Sequence, residues 1–286
     1  MRPSNSADLR HRIARAAALL ADAGVASPEV DARLIAAALL DVPPLALMFT
    51  DAPAGFAEAY DAAIARRAAR EPLQHITGTA QFGPLELRVG PGVFIPRPET
   101  EVLAQWAVDA LDGIDAPLVV DLGTGSGALA IFIAHARPDA RVIAVERSEA
   151  AREYAQENAV ANGASISVVA GDMCDPDLLS EFTGEVDLVV TNPPYVPEDP
   201  DLQPEVYFDP DEAVFSGADG MDAIRGLVPV AARLLTPTGR IGIEHDDTTS
   251  RAVLDTVRAN GSFSDIAVLR DLAGRERFVT AGKVVP

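Results

Sequence analysis

A short apolar strand followed by three closely spaced glycines constrains the fold of this chain more than any other feature. Residues 117–121 are apolar and β-branched up to Asp121, and they predict a buried parallel strand. Gly123, Gly125 and Gly127 follow, and residues 128–136 have the composition of a helix. Glycines in a strand–turn–helix setting allow a tight turn and a close approach of the backbone to a ligand. The segment therefore predicts a nucleotide-binding crevice in an α/β fold.

Acidic residues follow the next two predicted strands. Residues 141–145 lead into Glu146, and residues 166–170 lead into Gly171, Asp172 and Met173. Because the carboxyl ends of parallel strands meet at one crevice, Glu146 is expected to accept the ribose hydroxyls of a nucleotide, and Asp172 its adenine amine. Met173 is expected to cover the adenine ring. A solvated acid at a strand end explains each carboxylate singly, and the glycine spacing also fits the fingerprint of NAD or FAD enzymes.

The run Asn192-Pro193-Pro194-Tyr195 ends a further apolar strand at residues 186–190. The amide oxygen of Asn192 and the carbonyl of Pro193 can accept both hydrogens of a planar NH2 group. The two prolines stiffen the loop and remove two donors, and Tyr195 offers a flat surface. A proline-rich turn is the plain alternative. After a nucleotide-binding turn, however, this loop predicts a methyltransferase that acts on an amino or amide nitrogen, with S-adenosylmethionine as the methyl donor.

The chain resembles the HemK-type (PrmC/HemK) methyltransferases, which modify the glutamine of the Gly-Gly-Gln motif in peptide-chain release factors. The matching motifs lie at residues 71–78, 82–83, 93–101, 121–127, 171–172, 192–195 and 241–244. The resemblance implies a Rossmann-like class I S-adenosylmethionine-dependent fold with a mostly parallel seven-stranded sheet. It also implies a small N-terminal helical bundle, and S-adenosyl-L-homocysteine as the product of the methyl donor.

The resemblance carries over to individual positions. It implies a catalytic role for Asn192, Pro193 and Tyr195. The donor would be bound by Asp121, Gly123, Thr124, Gly125, Ser126, Gly127, Glu146, Asp172, Met173 and Asn192, and the glutamine by Asn192, Pro193, Pro194, Tyr195, Arg97 and Pro98. The chain departs from the family after Glu244, where His245-Asp246-Asp247-Thr248 replaces a glycine and a nearby glutamine.

The net charge, the single cysteine and the histidine spacing bear on which partners, disulfides and metal sites the chain can have. The formal net charge of −20 argues against duplex DNA as the main partner, since binding to phosphates needs clustered Lys and Arg. Residues 192–224 contain nine acids and no Lys or Arg, which indicates either an acidic rim for a basic protein substrate or simple solubility. The single Cys174 excludes an internal disulfide and suits a reducing compartment. The four histidines have no metal-ligand spacing, so no metal site is expected.

The predicted domains are an N-terminal helical substrate-recognition domain (1–71), a β-hairpin linker (72–96) and a catalytic methyltransferase domain (97–286). Strands and helices alternate up to Glu244, and residues 266–269 and 277–280 predict a closing antiparallel hairpin. No signal peptide or membrane-length apolar span is apparent, so a cytoplasmic monomer without membrane contact is expected. The alternatives are an adenine-N6 methyltransferase acting on nucleic acid, a nicotinamide oxidoreductase and a non-catalytic binding module.

Overall fold

The computed structural model describes residues 5–197 and 202–284. It divides into two compact units. One contains the described residues up to Thr79 together with Gln203–Phe208, and the other begins at Ala80, is interrupted by that short segment, and resumes at Asp209.

The first unit is helical. Leu9, Ala16 and Leu20 recur at helical spacing and are buried, so one face of the first helix packs into the unit. Pro28 occupies the first turn of the second helix, where its missing N–H costs nothing. The elements are α1 (Asn5–Asp22), α2 (Pro28–Leu40), α3 (Phe56–Ala68) and α4 (Leu73–Thr77), with a 3₁₀ turn at Pro44–Phe49.

Ion pairs hold the distant segment 203–208 to this unit. Arg70 donates through Nε and Nη2 to both carboxylate oxygens of Glu205, each at 2.7 Å. Arg67 donates to Asp31 at 2.8 Å and to Glu205 at 3.2 Å, and the side chains of Arg67 and Asp31 are almost fully buried. Glu205 lies in a 3₁₀ turn at Pro204–Phe208. A piece of chain that follows the Asn192–Tyr195 loop is thus part of the helical unit.

The strands β1 (Thr79–Phe82) and β2 (Leu85–Arg88) pair in a two-stranded sheet at the start of the second unit. They occupy only part of the predicted hairpin linker (72–96), because α4 forms at its beginning. Its main sheet has seven strands in the order β5-β4-β3-β6-β7-β9-β8. These strands are β3 (Leu118–Leu122), β4 (Arg141–Glu146), β5 (Ile166–Ala170), β6 (Val186–Thr191), β7 (Leu235–Glu244), β8 (Phe263–Arg270) and β9 (Glu276–Lys283). The five strands β5, β4, β3, β6 and β7 are parallel to one another. Strand β9 is antiparallel to its neighbours β7 and β8, so the predicted closing hairpin of β8 and β9 is confirmed.

Helices cover both faces of this sheet. Successive residues of β3 point to opposite faces: Val119 belongs to the cluster with α5 and α6, and Val120 to the cluster with α9 and α10. Every residue of β3 is buried, as expected for a central parallel strand. The helices of this unit are α5 (Thr100–Ala110), α6 (Ala128–Ala136), α7 (Glu149–Ala161), α8 (Asp211–Val214), α9 (Asp222–Leu234) and α10 (Ser250–Asn260). Among the described residues, no helix combines the length and the apolar character needed to cross a membrane.

Candidate active site

The strand register brings the predicted motifs to one edge of the sheet. Leu122, the last residue of β3, pairs with Val145 on one side and with Thr191 on the other. The Thr191 hydroxyl also donates to the Leu122 carbonyl at 2.7 Å. The residues that follow these pairs, including Glu146 and Asn192, therefore leave the sheet side by side. The chain order reverses between β3 and β6, which is where open α/β sheets bind ligands.

Hydrogen bonds to Val145 and Asp121 hold the glycine turn against the end of the sheet. The N–H groups of Gly123 and Thr124 both donate to the carbonyl of Val145, at 2.9 and 3.0 Å. Asp121 is fully buried, and one of its oxygens accepts from the Thr124 hydroxyl and from the N–H of Ala130. Burial raises the pKa of Asp121 to about 7. Asp121 thus lies beneath the turn and holds it by these two hydrogen bonds.

The three glycines have different surroundings. Gly123, Gly125 and Gly127 all have positive φ, at 74°, 55° and 88°. A Cβ on Gly123 would lie 2.5 Å from Cε of Met173, which covers the turn, whereas a Cβ on Gly125 would meet nothing within 4 Å. The backbone at Gly125 therefore faces open space, where a ligand can approach it closely.

Glu146 is oriented by two backbone donors. The N–H of Gly125 donates to Oε2 and the N–H of Ser148 donates to Oε1, both at 2.9 Å. Ser148 also caps the start of α7. The carboxylate is half-buried, and each oxygen has a further lone pair with which it could accept a hydrogen bond from a ligand.

The end of β5 has a more open arrangement. Asp172 is exposed, and its Oδ1 accepts from the N–H of Cys174 at 2.8 Å. The thiol of Cys174 contacts the carbonyl of Ala223 at 3.6 Å, and burial raises its pKa above the ordinary value. Cys174 is therefore a protonated packing residue, and Asp172 is the carboxylate available to a ligand here.

The Asn192–Tyr195 loop is supported from behind by residues 214–220. The N–H of Val196 donates to the carbonyl of Val214, and the N–H of Ser216 donates to the carbonyl of Val196, both at 3.0 Å. Gly220 has a φ of 72°, and a Cβ there would lie 2.3 Å from the carbonyl oxygen of Tyr195. The loop can take its position only because residue 220 lacks a side chain.

A buried hydrogen-bonded chain links the two ends of the same loop. The Tyr195 hydroxyl donates to Oε1 of Glu244 at 3.1 Å, and the Thr100 hydroxyl donates to Oε2 at 2.7 Å. Nδ2 of Asn192 donates to Oγ1 of Thr100 at 3.3 Å. Burial raises the pKa of Glu244 to about 7 and keeps the Tyr195 hydroxyl protonated by raising its pKa. Neither Thr100 nor Glu244 was assigned an individual role from the sequence, although both lie in motifs that match the family, at residues 93–101 and 241–244.

Arg97 and Pro98 lie on the segment that enters α5. The Arg97 guanidinium donates to Asp209 and stands over the Phe94 ring at 4.9 Å from its centroid. The second carboxylate oxygen of Asp209 accepts from the N–H of Ile95 at 3.1 Å. Asp209 thus anchors the segment, while Pro98 is exposed.

The predicted acidic rim needs a correction. Asp209 is buried because it is bonded to Arg97 and Ile95, and Glu205 is paired with two arginines of the helical unit. Neither acid is free to attract a substrate. Glu198, Asp199 and Asp201 lie outside the described residues.

Comparisons with known proteins show the family. Residues 12–78 match the model of the PrmC N-terminal domain, and residues 86–206 match that of the methyltransferase small domain. The release factor glutamine methyltransferase of Corynebacterium glutamicum is 57% identical, covering 94% of this chain and 96% of its own length. That of Mycolicibacterium smegmatis is 54% identical, covering 96% and 98%. The chain belongs to the release factor glutamine methyltransferase family.

Solved structures agree on the fold. The hMettl16 catalytic domain matches with a TM-score of 0.54 at 16% identity, covering 78% of this chain and 81% of that one. A 16S rRNA methyltransferase of T. thermophilus, in complex with AdoMet and guanosine, matches with a TM-score of 0.52 at 22% identity, covering 72% and 49%. The catalytic unit therefore has the predicted class I methyltransferase fold.

The divergent loop after Glu244 is well ordered by its own bonds. Nδ1 of His245 lies 2.8 Å from the carbonyl oxygen of Asp246, and Oδ1 of Asp246 accepts from the N–H of Thr248 at 2.9 Å. Burial lowers the pKa of His245, so the ring is neutral near pH 7. The loop forms the turn into α10. Across the described ranges, no group of three or more His, Cys, Asp or Glu side chains could hold a metal ion.

Proposed function

We propose that this protein transfers a methyl group from S-adenosylmethionine to the side-chain amide nitrogen of the glutamine in the Gly-Gly-Gln motif of peptide-chain release factors. The observation that carries the proposal is the position of Asn192-Pro193-Pro194-Tyr195. The loop leaves β6 directly beside the glycine turn that follows β3. Relatives that are 46–57% identical over 94–96% of this chain carry the name of that activity.

The residues at the crevice fit the methyl donor. Gly125 has open space above its backbone, Glu146 presents an oriented carboxylate, and Asp172 presents an exposed one. We assign the donor's methionine portion to residues 123–127, its ribose to Glu146, and its adenine to Asp172 and Met173. When bound, S-adenosylmethionine supplies a methyl group already activated on a sulfonium.

The protein's contribution is then to hold the target nitrogen. An amide nitrogen is a poor nucleophile because its lone pair is delocalised into the carbonyl. The Asn192 amide oxygen and the Pro193 carbonyl can accept its two hydrogens and direct its face toward the donor. Such fixed acceptors reduce the entropy cost of alignment. They also bind more strongly as positive charge develops on the nitrogen, which favours the transition state.

We propose that the helical unit contributes to recognition of the release factor. Its 3₁₀ turn exposes large apolar side chains, with Leu45 at 80% and Phe49 at 84% exposure. Exposed apolar groups in a cluster are typical of protein-binding surfaces. Phe49→Ser should raise KM for an intact release factor without raising KM for a short glutamine peptide. If wild type and Phe49→Ser had equal KM values for the intact release factor, this turn would have no part in recognition.

The alternative substrate is adenine in nucleic acid, which an Asn-Pro-Pro-Tyr loop could also hold. The net charge of −20 does not suit a nucleic-acid partner. A release factor substrate places the reaction in the cytoplasm, where translation ends.

The deciding experiment is methyl transfer from labelled S-adenosylmethionine to a purified bacterial release factor. A Gly-Gly-Ala variant of that factor and a DNA substrate serve as controls, and mass spectrometry locates the methyl group. Label on the glutamine alone supports the proposal. Label on DNA would support the alternative, and no label on either, with the donor bound normally, would contradict both.

A further inference from the structure

The hydrogen-bonded chain beneath the Asn192–Tyr195 loop has a fixed direction. A carboxylate has no hydrogen to donate, so ionised Glu244 accepts on both oxygens, from Tyr195 and from Thr100. The Thr100 hydroxyl has one hydrogen, which it gives to Glu244, and only lone pairs remain for its other neighbour. That neighbour is Asn192, which must offer its NH2 group, and the structure has Nδ2 of Asn192 at 3.3 Å from Oγ1 of Thr100.

The direction of this chain decides which atom of Asn192 is left for the substrate. With Nδ2 bonded to Thr100, Oδ1 is the acceptor that the side chain has left for the substrate. The amide nitrogen of a glutamine carries two hydrogens and needs an acceptor. A rotated Asn192 would instead present NH2 to NH2, two donors facing each other. Correct orientation of Asn192 is therefore a condition for aligning the target nitrogen with the methyl donor.

Glu244 occupies the position from which it can impose this orientation. It follows Ile243, which pairs with Thr191 in the sheet, so Glu244 leaves β7 beside Asn192. It is 1% exposed, and burial among protein groups makes each of its hydrogen bonds stronger than in water. Without a carboxylate, the Thr100 hydroxyl could turn and donate to Oδ1 of Asn192, which would rotate the amide.

We propose that Glu244 is a positioning residue for methyl transfer, acting through Thr100 to fix the orientation of the Asn192 amide and through its second oxygen to fix the Tyr195 ring. Glu244 and Thr100 bind the loop rather than the glutamine, and this role rests on the proposed glutamine methylation.

The first test replaces the hydroxyl that connects Glu244 to Asn192. Thr100→Val keeps the shape of the side chain and removes the hydroxyl, while Thr100→Ser keeps the hydroxyl. Leaving the Asn192 amide without its partner should lower kcat for a release factor about tenfold or more, with KM changed less than threefold. Thr100→Ser should retain kcat within threefold of wild type. Circular dichroism and calorimetric binding of S-adenosylmethionine confirm that each variant is folded.

A second test measures whether Glu244 acts through Thr100. Glu244→Gln should lower kcat several-fold. Because the glutamine oxygen can still accept from Tyr195, Glu244→Gln and Thr100→Val both break the connection through Thr100, and the double variant should be no slower than Thr100→Val alone. If Thr100→Val does not fold, the proposal is tested by the kcat values of the other two variants. Thr100→Ser should stay within threefold of wild type, whereas Glu244→Gln should be several-fold slower.

Each of the following results would overturn the positioning role: a Thr100→Val kcat near that of wild type, equal losses in Thr100→Val and Thr100→Ser, or losses that multiply in the double variant. A Glu244→Gln enzyme with wild-type kcat would do the same. Failure of the proposed function is distinct, because it is seen as absence of glutamine methylation by the wild-type protein itself.

Discussion

The carboxylate of Glu146 accepts a hydrogen bond from the backbone N–H of Gly125 at 2.9 Å, which joins the end of β4 to the glycine turn after β3. Its other oxygen accepts from the N–H of Ser148, at the start of α7. One side chain thus sets the position of the turn, and in the proposed function it also binds the donor's ribose. Loss of the carboxylate should affect both contributions.

Glu146→Ala should weaken binding of S-adenosylmethionine about tenfold or more, because hydrogen bonds to a charged group contribute roughly 1.5–3 kcal/mol. Titration calorimetry measures the Kd directly. Glu149→Ala is the matched control, since Glu149 lies three residues further on and is exposed. Equal Kd values for wild type and Glu146→Ala would show that this acid does not bind the donor.

Asn192→Ala should reduce kcat by a factor on the order of 100 or more, by analogy with the removal of one preorganised polar partner of a transition state. The reason is that the target nitrogen loses one of its two fixed acceptors. Single-turnover methylation of a release factor, with donor and substrate saturating, measures the chemical step. A folded Asn192→Ala protein with near-normal kcat would contradict the assignment of Asn192.

Most of the fold could be predicted from the sequence because its signals are local. The apolar runs of β3 to β6, Pro28 at the start of α2 and the glycine turn each specify their own element. The strand ends also predicted where Glu146 and Asn192 would lie, because carboxyl ends of parallel strands share one edge. Local patterns therefore located the crevice.

The parts that were missed depend on long-range contacts. Thr100 and Glu244 are 144 positions apart, and no pattern in either segment indicates that they share a hydrogen bond. The pairing of Glu205 with Arg70, across 135 positions, and the burial of Asp209 beneath Arg97 are of the same kind. From composition alone Glu205 and Asp209 were expected to be exposed to solvent, whereas the fold gives each of them an arginine partner.

Activity should fall on the acid side of neutrality because burial raises the pKa of Glu244 to about 7. Above that pH Glu244 is a carboxylate that accepts hydrogen bonds from Thr100 and Tyr195. Below that pH Glu244 carries a proton and can donate it to the Thr100 hydroxyl oxygen, which frees the Thr100 hydrogen to point toward Asn192. The other groups that act on it are Arg277 on β9, which favours the carboxylate, and Glu99 before α5, which opposes it. The Tyr195 hydroxyl stays protonated throughout.

The measurement is kcat between pH 5.5 and 8.5 with donor and release factor saturating. We expect wild type to show an acid limb with an apparent pKa near 7 and Glu244→Gln to lack it, because glutamine does not titrate. An identical acid limb in both proteins would assign the titration to another group.

Arg67→Met should destabilise the helical unit by about 3–5 kcal/mol, since it leaves Asp31 buried without its partner. Chemical denaturation followed by far-ultraviolet circular dichroism measures the change. Arg12→Ala is the matched control, because its pair with Asp61 is more exposed, and the expected loss is at most about 1 kcal/mol. Asp31→Leu combined with Arg67→Met should recover part of the stability, and a double variant as unstable as the single one would argue against an unpaired charge as the cause.

Gly220→Ala should impair catalysis more than folding, because the added Cβ would lie 2.3 Å from the carbonyl oxygen of Tyr195 and must displace the Asn192–Tyr195 loop, which we propose holds the glutamine. Gly184→Ala is the matched control: φ is 75° at Gly184 and 72° at Gly220, so both pay the strain of a left-handed alanine, roughly 1–2 kcal/mol. A Cβ on Gly184 meets nothing within 4 Å, so this variant carries the strain without the collision. We expect Gly184→Ala to lose only the stability that the strain costs and Gly220→Ala to lose more. A fall in kcat of about tenfold or more is expected only in Gly220→Ala, given that small displacements of reacting groups cost up to about 100-fold. Equal kcat values in the two variants would show that the loop accommodates the methyl group without moving Asn192.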